Sequence, residues 1–116
     1  MKRLLLALVA LALWAPAAFA ATCNVTEFSL FAPGGVQVAQ MPPLVDQTPI
    51  TVTGTSAQSA VFSDGTKMIR AWCDTQSAMA VGSNPTATTN NMPLSAGLAE
   101  YFNVTPGQRA AFILRP

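Results

Sequence analysis

The sequence contains no histidine and few charged side chains. Charged residues make up 9% of its 116 residues, against roughly 25% in an average soluble domain. Six lysines and arginines are too few to build the basic surface of a nucleic-acid-binding protein. Without histidine there is no histidine-based catalysis and no histidine-ligated metal site. We therefore expect no nucleic-acid partner and no metal.

Motifs for enzymatic chemistry are also missing. Gly34-Gly35 is not followed by the Gly-Lys-Ser/Thr of a phosphate-binding loop, and there is no Gly-x-Ser-x-Gly motif of a serine hydrolase. Two carboxylates in one cleft would be needed for a glycosidase, yet nothing in the sequence pairs Glu27 with Glu100. We predict a protein that is not an enzyme and needs no cofactor.

The N-terminus has the pattern of a secretory signal peptide. Two basic residues precede the apolar run Leu4–Trp14, which is followed by Pro16 and the small-residue site Ala18-Phe19-Ala20. The predicted cut lies between Ala20 and Ala21, which divides the chain into a signal peptide (1–20) and one domain (21–116). The alternative is a retained hydrophobic helix, for which residues 4–21 are at the lower limit of a membrane-spanning length.

The sequence has two cysteines, Cys23 and Cys73. In an exported protein an even pair most simply forms one disulfide. It would close a loop of about 50 residues, and the chain-entropy model gives about 4 kcal/mol of stabilisation for such a loop. It would also fix the mature N-terminus to the middle of the domain. Two independent buried thiols are the alternative.

Proline and glycine recur at short intervals, separating segments rich in Val, Ile, Thr, Phe and Tyr. This pattern predicts a single all-β domain, an antiparallel, jelly-roll-like β-sandwich of about eight short strands. The predicted strands are Cys23–Phe31, Val36–Gln40, Ile50–Thr53, Ser59–Phe62, Met68–Thr75, Ala78–Val81, Glu100–Val104 and Arg109–Leu114.

Two turns are predicted to close β-hairpins. Asp64-Gly65 suits a hairpin turn with positive φ. Pro106-Gly107 suits the two central positions of a type II turn, which would join Tyr101–Val104 to Arg109–Leu114 as the closing hairpin.

Alternation along Met68–Thr75 assigns its side chains to two faces. Ile69, Ala71 and Cys73 share one face, so the disulfide belongs to the apolar side and is expected to bridge the core. Trp72 lies on the other face, either as the lid of a second apolar layer or as an interface residue.

The polar stretch Ser83–Asn91 is predicted to be an exposed loop and a candidate functional tip, since Ala87 is its one apolar anchor. The candidate interface residues are Trp72, Asn84, Asn90 and Asn91.

Most of the mature chain resembles small proteins encoded in the structural-gene clusters of tailed bacteriophages. The resemblance rests on Val25-Thr26-Glu27-Phe28, Gln40-Met41-Pro42-Pro43-Leu44, Thr55–Phe62, Lys67–Asp74, Gly82–Thr88 and Glu100–Val104 ahead of Pro106-Gly107-Gln108. It implies a non-enzymatic β-sandwich on the virion, acting as a head decoration or cement protein. The implied partners are other copies of the chain, in a homo-oligomer, together with capsid or other virion proteins.

The chain departs from that pattern in its signal-like segment and its cysteine pair. These features favour a second hypothesis, an exported bacterial periplasmic or surface protein such as a pilin-like subunit. A third is a small glycan- or ligand-binding module in which Trp72 and Tyr101 stack on the ligand. The expected location is the virion for a phage-encoded chain and otherwise the periplasm or cell surface, with membrane contact only if residues 1–20 are retained.

Overall fold

A computed structural model describes residues 20–29 and 41–116. These residues form strands only: β1 (Ala21–Phe28), β2 (Val45–Asp46), β3 (Ile50–Val52), β4 (Ala57–Gln58), β5 (Met68–Cys73), β6 (Ser77–Gly82), β7 (Met92–Leu94), β8 (Ala99–Asn103) and β9 (Arg109–Leu114). Residues 1–19 of the predicted signal peptide, residues 30–31 of the predicted first strand and the predicted strand Val36–Gln40 lie outside the described residues. The first strand begins at Ala21, the residue after the predicted cut.

The strands form two antiparallel sheets. In the first sheet β1 is central, with β2 and β3 on one side and β5 followed by β8 on the other. The second sheet has the order β4-β9-β6-β7. The chain crosses repeatedly between the sheets, which confirms the predicted all-β, jelly-roll-like sandwich.

The core lies between the sheets and follows from period-two alternation. In β1, Cys23 and Val25 point inward between half-buried polar residues. They meet Met79 and Phe112 from the second sheet, and Phe62 from the connection after β4 joins the same cluster. Burying each large side chain contributes about 1.5–3 kcal/mol, so this layer holds the two sheets together.

The disulfide joins Cys23 to Cys73, whose sulfur atoms are 2.05 Å apart. Both residues are fully buried, and they are directly opposed partners on β1 and β5. The bond thus fixes the start of β1 to the end of the neighbouring strand β5. The expected bridge across the core is wrong, because the two cysteines share one ladder and the bond lies within the first sheet.

Neither predicted hairpin forms. Gly107 has the positive φ of 83° that a type II turn requires, but β8 pairs with β5 while β9 pairs with β6 along its whole length. The Asp64-Gly65 turn is closed by a hydrogen bond from Thr66 N to Ser63 O of 3.0 Å, without positive φ at the glycine. Both turns carry the chain from one sheet to the other.

The segment Ser59–Phe62, predicted as a strand, follows β4 without regular pairing. It stays beside β9, since Ser59 N donates to Ala110 O at 2.7 Å and Phe62 N to Gln108 O at 2.8 Å. The sequence analysis missed β2, β4 and β7. The first two have only two residues each, and β7 contains Pro93, which normally argues against a strand.

Candidate functional site

The protein's own loop Ser83–Asn91 is hydrogen-bonded to the β4 side of the second sheet. The side-chain amide of Gln58 on β4 donates to Asn84 Oδ1 at 2.9 Å and to the Pro85 carbonyl at 2.8 Å. Ala87 N donates to Ser56 Oγ at 2.8 Å, and Ala87 is buried. The loop is exposed over most of its residues, as predicted, and it is anchored to its own sheet at Asn84, Pro85 and the buried Ala87.

The candidate interface residues do not form one surface. Asn84 and Asn91 make hydrogen bonds that hold the loop in place: Asn84 Oδ1 accepts from Gln58, and Asn91 Oδ1 accepts from Thr88 N at 2.6 Å. Asn90 is exposed. Trp72 lies on β5 in the first sheet, so the structure separates it from the three asparagines.

The outer face of the first sheet carries a cross-strand row of side chains. Strand register aligns Asp46 with Thr26, Thr26 with Arg70, and Arg70 with Tyr101. Partners in register point to the same side of a sheet, so four neighbouring strands present these four side chains together. Tyr101 is 47% exposed, and the row reaches solvent.

A second row runs one repeat further along the strands. Trp72 is opposite Asn24 on β1 and Ala99 on β8, and its side chain is half-buried. It is a diagonal neighbour of Tyr101, a position with Cα atoms about 7–8 Å apart. The two aromatic side chains therefore share this face, and Arg70 is next to both, opposite Tyr101 and two residues from Trp72 on β5.

A groove of about 390 Å³ runs along the first row and includes all four of its side chains. Its lining residues are Thr26, Phe28, Met41, Pro43, Asp46, Arg70 and Tyr101. Phe28 and Met68 are opposed and buried on this outer face, so a small apolar cluster exists outside the core. Trp72 lies on the same face four residues from Met68, about 13 Å along the strand.

Glu27 is a buried carboxylate on the inner side of β1. Its Oε1 accepts hydrogen bonds from Ser63 N at 2.7 Å and from the Thr66 hydroxyl. Its Oε2 accepts from Gln47 Nε2 at 3.0 Å, and Gln47 Oε1 in turn accepts from Ala60 N at 3.0 Å. The carboxylate thus ties β1 to the connection that leads from the second sheet back to the first.

The remaining carboxylates do not gather around a cleft with Glu27. Glu100 is opposite Ala71, two strands away and offset by two residues, about 12 Å from Glu27. Asp74 Oδ1 accepts from Thr22 N at 2.9 Å. Residues 20–29 and 41–116 contain no group of three or more acidic or cysteine side chains placed to hold a metal ion. In these ranges no helix has the length and apolarity to cross a membrane.

No family model, curated protein or solved structure matches the chain. The resemblance to phage structural proteins therefore stays a prediction from the sequence.

The sequence analysis identified Trp72 and Tyr101 as aromatic residues that could meet a ligand, but it missed the row that accompanies them. Alternation along β5 places Arg70 on the same face as Trp72, and that signal was present. Thr26 and Asp46 belong to the row only because strand pairing places them beside Arg70. This pairing was not predictable, since β2 has only two residues.

Proposed function

We propose that this chain is a non-enzymatic structural protein that acts through protein–protein contacts made by the outer face of its first sheet. One observation carries the proposal. Among the described residues that face is open to solvent at Tyr101 and partly open at Arg70 and Trp72, while the loop Ser83–Asn91 is bound to Gln58 and Ser56 at one side of the second sheet.

The residue types on the open face are those that contribute most to binding at protein interfaces. Trp, Tyr and Arg dominate interface hot spots because they bury a large area and retain a polar group for orientation. Here Trp72 and Tyr101 flank Arg70, and Thr26 and Asn24 supply hydrogen-bonding groups around them. A partner that desolvated this surface would gain both apolar contact and directional bonds.

The proposed partners are other copies of the chain and the capsid or other proteins of a phage particle, where the chain would serve as a decoration or cement protein. The support is the resemblance described above together with an open face suited to contact. In this role the protein would be located on the virion.

The second candidate is an exported bacterial periplasmic or surface protein, including a small binding module. Two observations favour it. The Cys23–Cys73 disulfide is typical of oxidising compartments, and β1 begins at the residue after the predicted cut. In a binding module, Trp72 and Tyr101 would stack on a sugar or similar ligand.

The test is density-gradient fractionation of the source culture expressing the tagged full chain, with mass spectrometry of its first residue and its co-sedimenting proteins. Trp72→Ala and Arg70→Ala remove open-face side chains, and Met92→Ala removes an exposed side chain on β7 of the second sheet. We expect Trp72→Ala and Arg70→Ala each to raise the Kd for the partner about 30-fold, which corresponds to about 2 kcal/mol, and so to reduce co-sedimentation. Met92→Ala should co-sediment like the wild type.

Banding with phage particles supports the virion role. A chain that begins at Ala21 and fractionates with envelope material instead supports the exported protein. Equal co-sedimentation of all three variants and the wild type would refute the assignment of the contact to the first sheet.

A further inference from the structure

We propose that the outer edge of β8 pairs with β8 of a second copy, so that the first sheets of two molecules form one continuous antiparallel sheet. This inference concerns the sheet edge and its backbone, and it goes beyond the proposed use of the sheet face.

Strand register shows which backbone groups of β8 are free. Val104 N donates to Lys67 O at 3.0 Å, and alternate pairs in the same ladder are hydrogen-bonded. Glu100 and Phe102 therefore direct their N–H and C=O groups toward β5, while Ala99, Tyr101 and Asn103 direct theirs away. Among the described residues no strand pairs with that side of β8.

The other outer strands are poorly suited to pairing. β2 and β4 have two residues each, β3 has three, and β7 contains Pro93, which removes a backbone donor. β8 has five residues and no proline. A sheet edge with unpaired N–H and C=O groups is a template for strand addition.

One register fits two copies best. With the two-fold axis at Tyr101, this residue faces its own counterpart and Ala99 faces Asn103 of the second copy. Each of these facing pairs exchanges two hydrogen bonds. Shifting the two strands by two residues in either direction loses one of these hydrogen-bonded pairs. In one of the two directions Glu100 would also face Glu100 of the second copy, which like-charge repulsion disfavours.

The centred register also pairs apolar side chains that flank the axis. Leu98, which immediately precedes β8, is 59% exposed, and it would face Val104 of the second copy. Val104 itself packs against the core. On the outer face the two copies of Tyr101 would stand side by side, so the rows that end in Asp46 would run without interruption across both molecules.

The first test is the oligomeric state of the purified native protein across a concentration series, by sedimentation velocity. We expect a concentration-dependent dimer. Asn103→Pro removes an edge N–H without removing a bond to β5, and Phe102 before it is extended, as proline requires. The Asn103→Pro protein should be monomeric, and its near-UV circular dichroism spectrum should match that of the wild type, which shows that it is folded. Asn103→Ala should dimerise like the wild type.

The second test reads the register by disulfide cross-linking and does not depend on the proline variant. In the proposed dimer the two copies of residue 101 have Cα atoms about 5.5 Å apart, within disulfide range. Residue 103 is separated from its own counterpart by four residues along the strand and one strand spacing, about 14 Å in all. Tyr101→Cys should therefore form a covalent dimer on mild oxidation, and Asn103→Cys should not.

A monomeric wild type at all concentrations, or equal cross-linking of the two cysteine variants, would overturn the proposal. So would a folded Asn103→Pro protein that still dimerises. These outcomes are independent of the proposed function, since a monomer whose binding to a partner depends on Trp72 would retain that function.

Discussion

The substitution Glu27→Gln tests whether the buried carboxylate holds the connection between the sheets. Glu27 accepts from the Ser63 backbone, the Thr66 hydroxyl and the Gln47 amide. A glutamine of the same size keeps one acceptor oxygen but replaces the other with an NH₂ group. Either orientation sets that NH₂ against a donor, the Gln47 amide in one case and the Ser63 N–H in the other.

The surroundings prevent a simple rearrangement. Gln47 cannot flip its amide to offer an oxygen, because its Oε1 already accepts from Ala60 N at 3.0 Å and its Nε2 also donates to Ala60 O at 3.2 Å. One buried donor is therefore left without an acceptor, at a cost of about 1–3 kcal/mol, and the remaining bonds lose their charged acceptor. Relief of the carboxylate's desolvation offsets part of this loss.

We expect Glu27→Gln to lower the free energy of unfolding by about 2–4 kcal/mol, equivalent to roughly 10–25 °C in Tm for a domain of this size. Urea unfolding followed by tryptophan fluorescence measures it. Glu100→Gln is the matched control, the same chemical change at a half-buried position on β8, with an expected loss below about 1 kcal/mol. Equal midpoints for the two variants would refute the reasoning, and a Glu27→Gln protein more stable than the wild type would show that desolvation dominates.

Two further predictions concern the disulfide and a turn. Replacing both Cys23 and Cys73 with alanine should lower the free energy of unfolding by about 4 kcal/mol in the chain-entropy model. The melting temperature of this variant should not change when a reductant is added. A variant as stable as the oxidised wild type would contradict the prediction. Gly107→Ala should lower the free energy of unfolding by about 1 kcal/mol, because φ at this position is 83°. Gly54→Ala is the control, since no atom lies within 4 Å of an added Cβ, and its melting temperature should be close to that of the wild type. Equal losses of stability in the two variants would refute the argument from φ.

Two of the longer strands were predictable from the sequence. The predicted Arg109–Leu114 has the bounds of β9, and Met68–Thr75 extends only two residues beyond β5. Buried and half-buried side chains alternate from Ile69 to Cys73 in β5, whereas β9 is a short apolar run with Ala110, Ala111 and Phe112 all buried, which is typical of a strand buried on both faces. β7 shows the opposite case, because its pairing with β6 overrides the proline that it contains.

Strand pairing was the part that the sequence could not supply. The turn at Pro106-Gly107 has the expected backbone, yet it joins strands in different sheets, because Phe102 on β8 pairs with Ile69 in the core while β9 pairs with β6. Turn chemistry fixes local dihedral angles, whereas the choice of partner strand depends on the whole core. The same limit hid the site, since Asp46, Thr26 and Arg70 are aligned only by register.

Tyr101 connects the two proposals, because its side chain belongs to the open face and its backbone to the edge of β8. A dimer through that edge would place two open faces side by side in one sheet. A partner with repeated sites, such as a capsid, would then be bound through both faces at once, and the second contact would form at a high effective concentration. Asn103→Pro should in that case weaken attachment to such a partner without altering any side chain of the row, whereas a face that acts in a monomer would bind equally well with or without the proline.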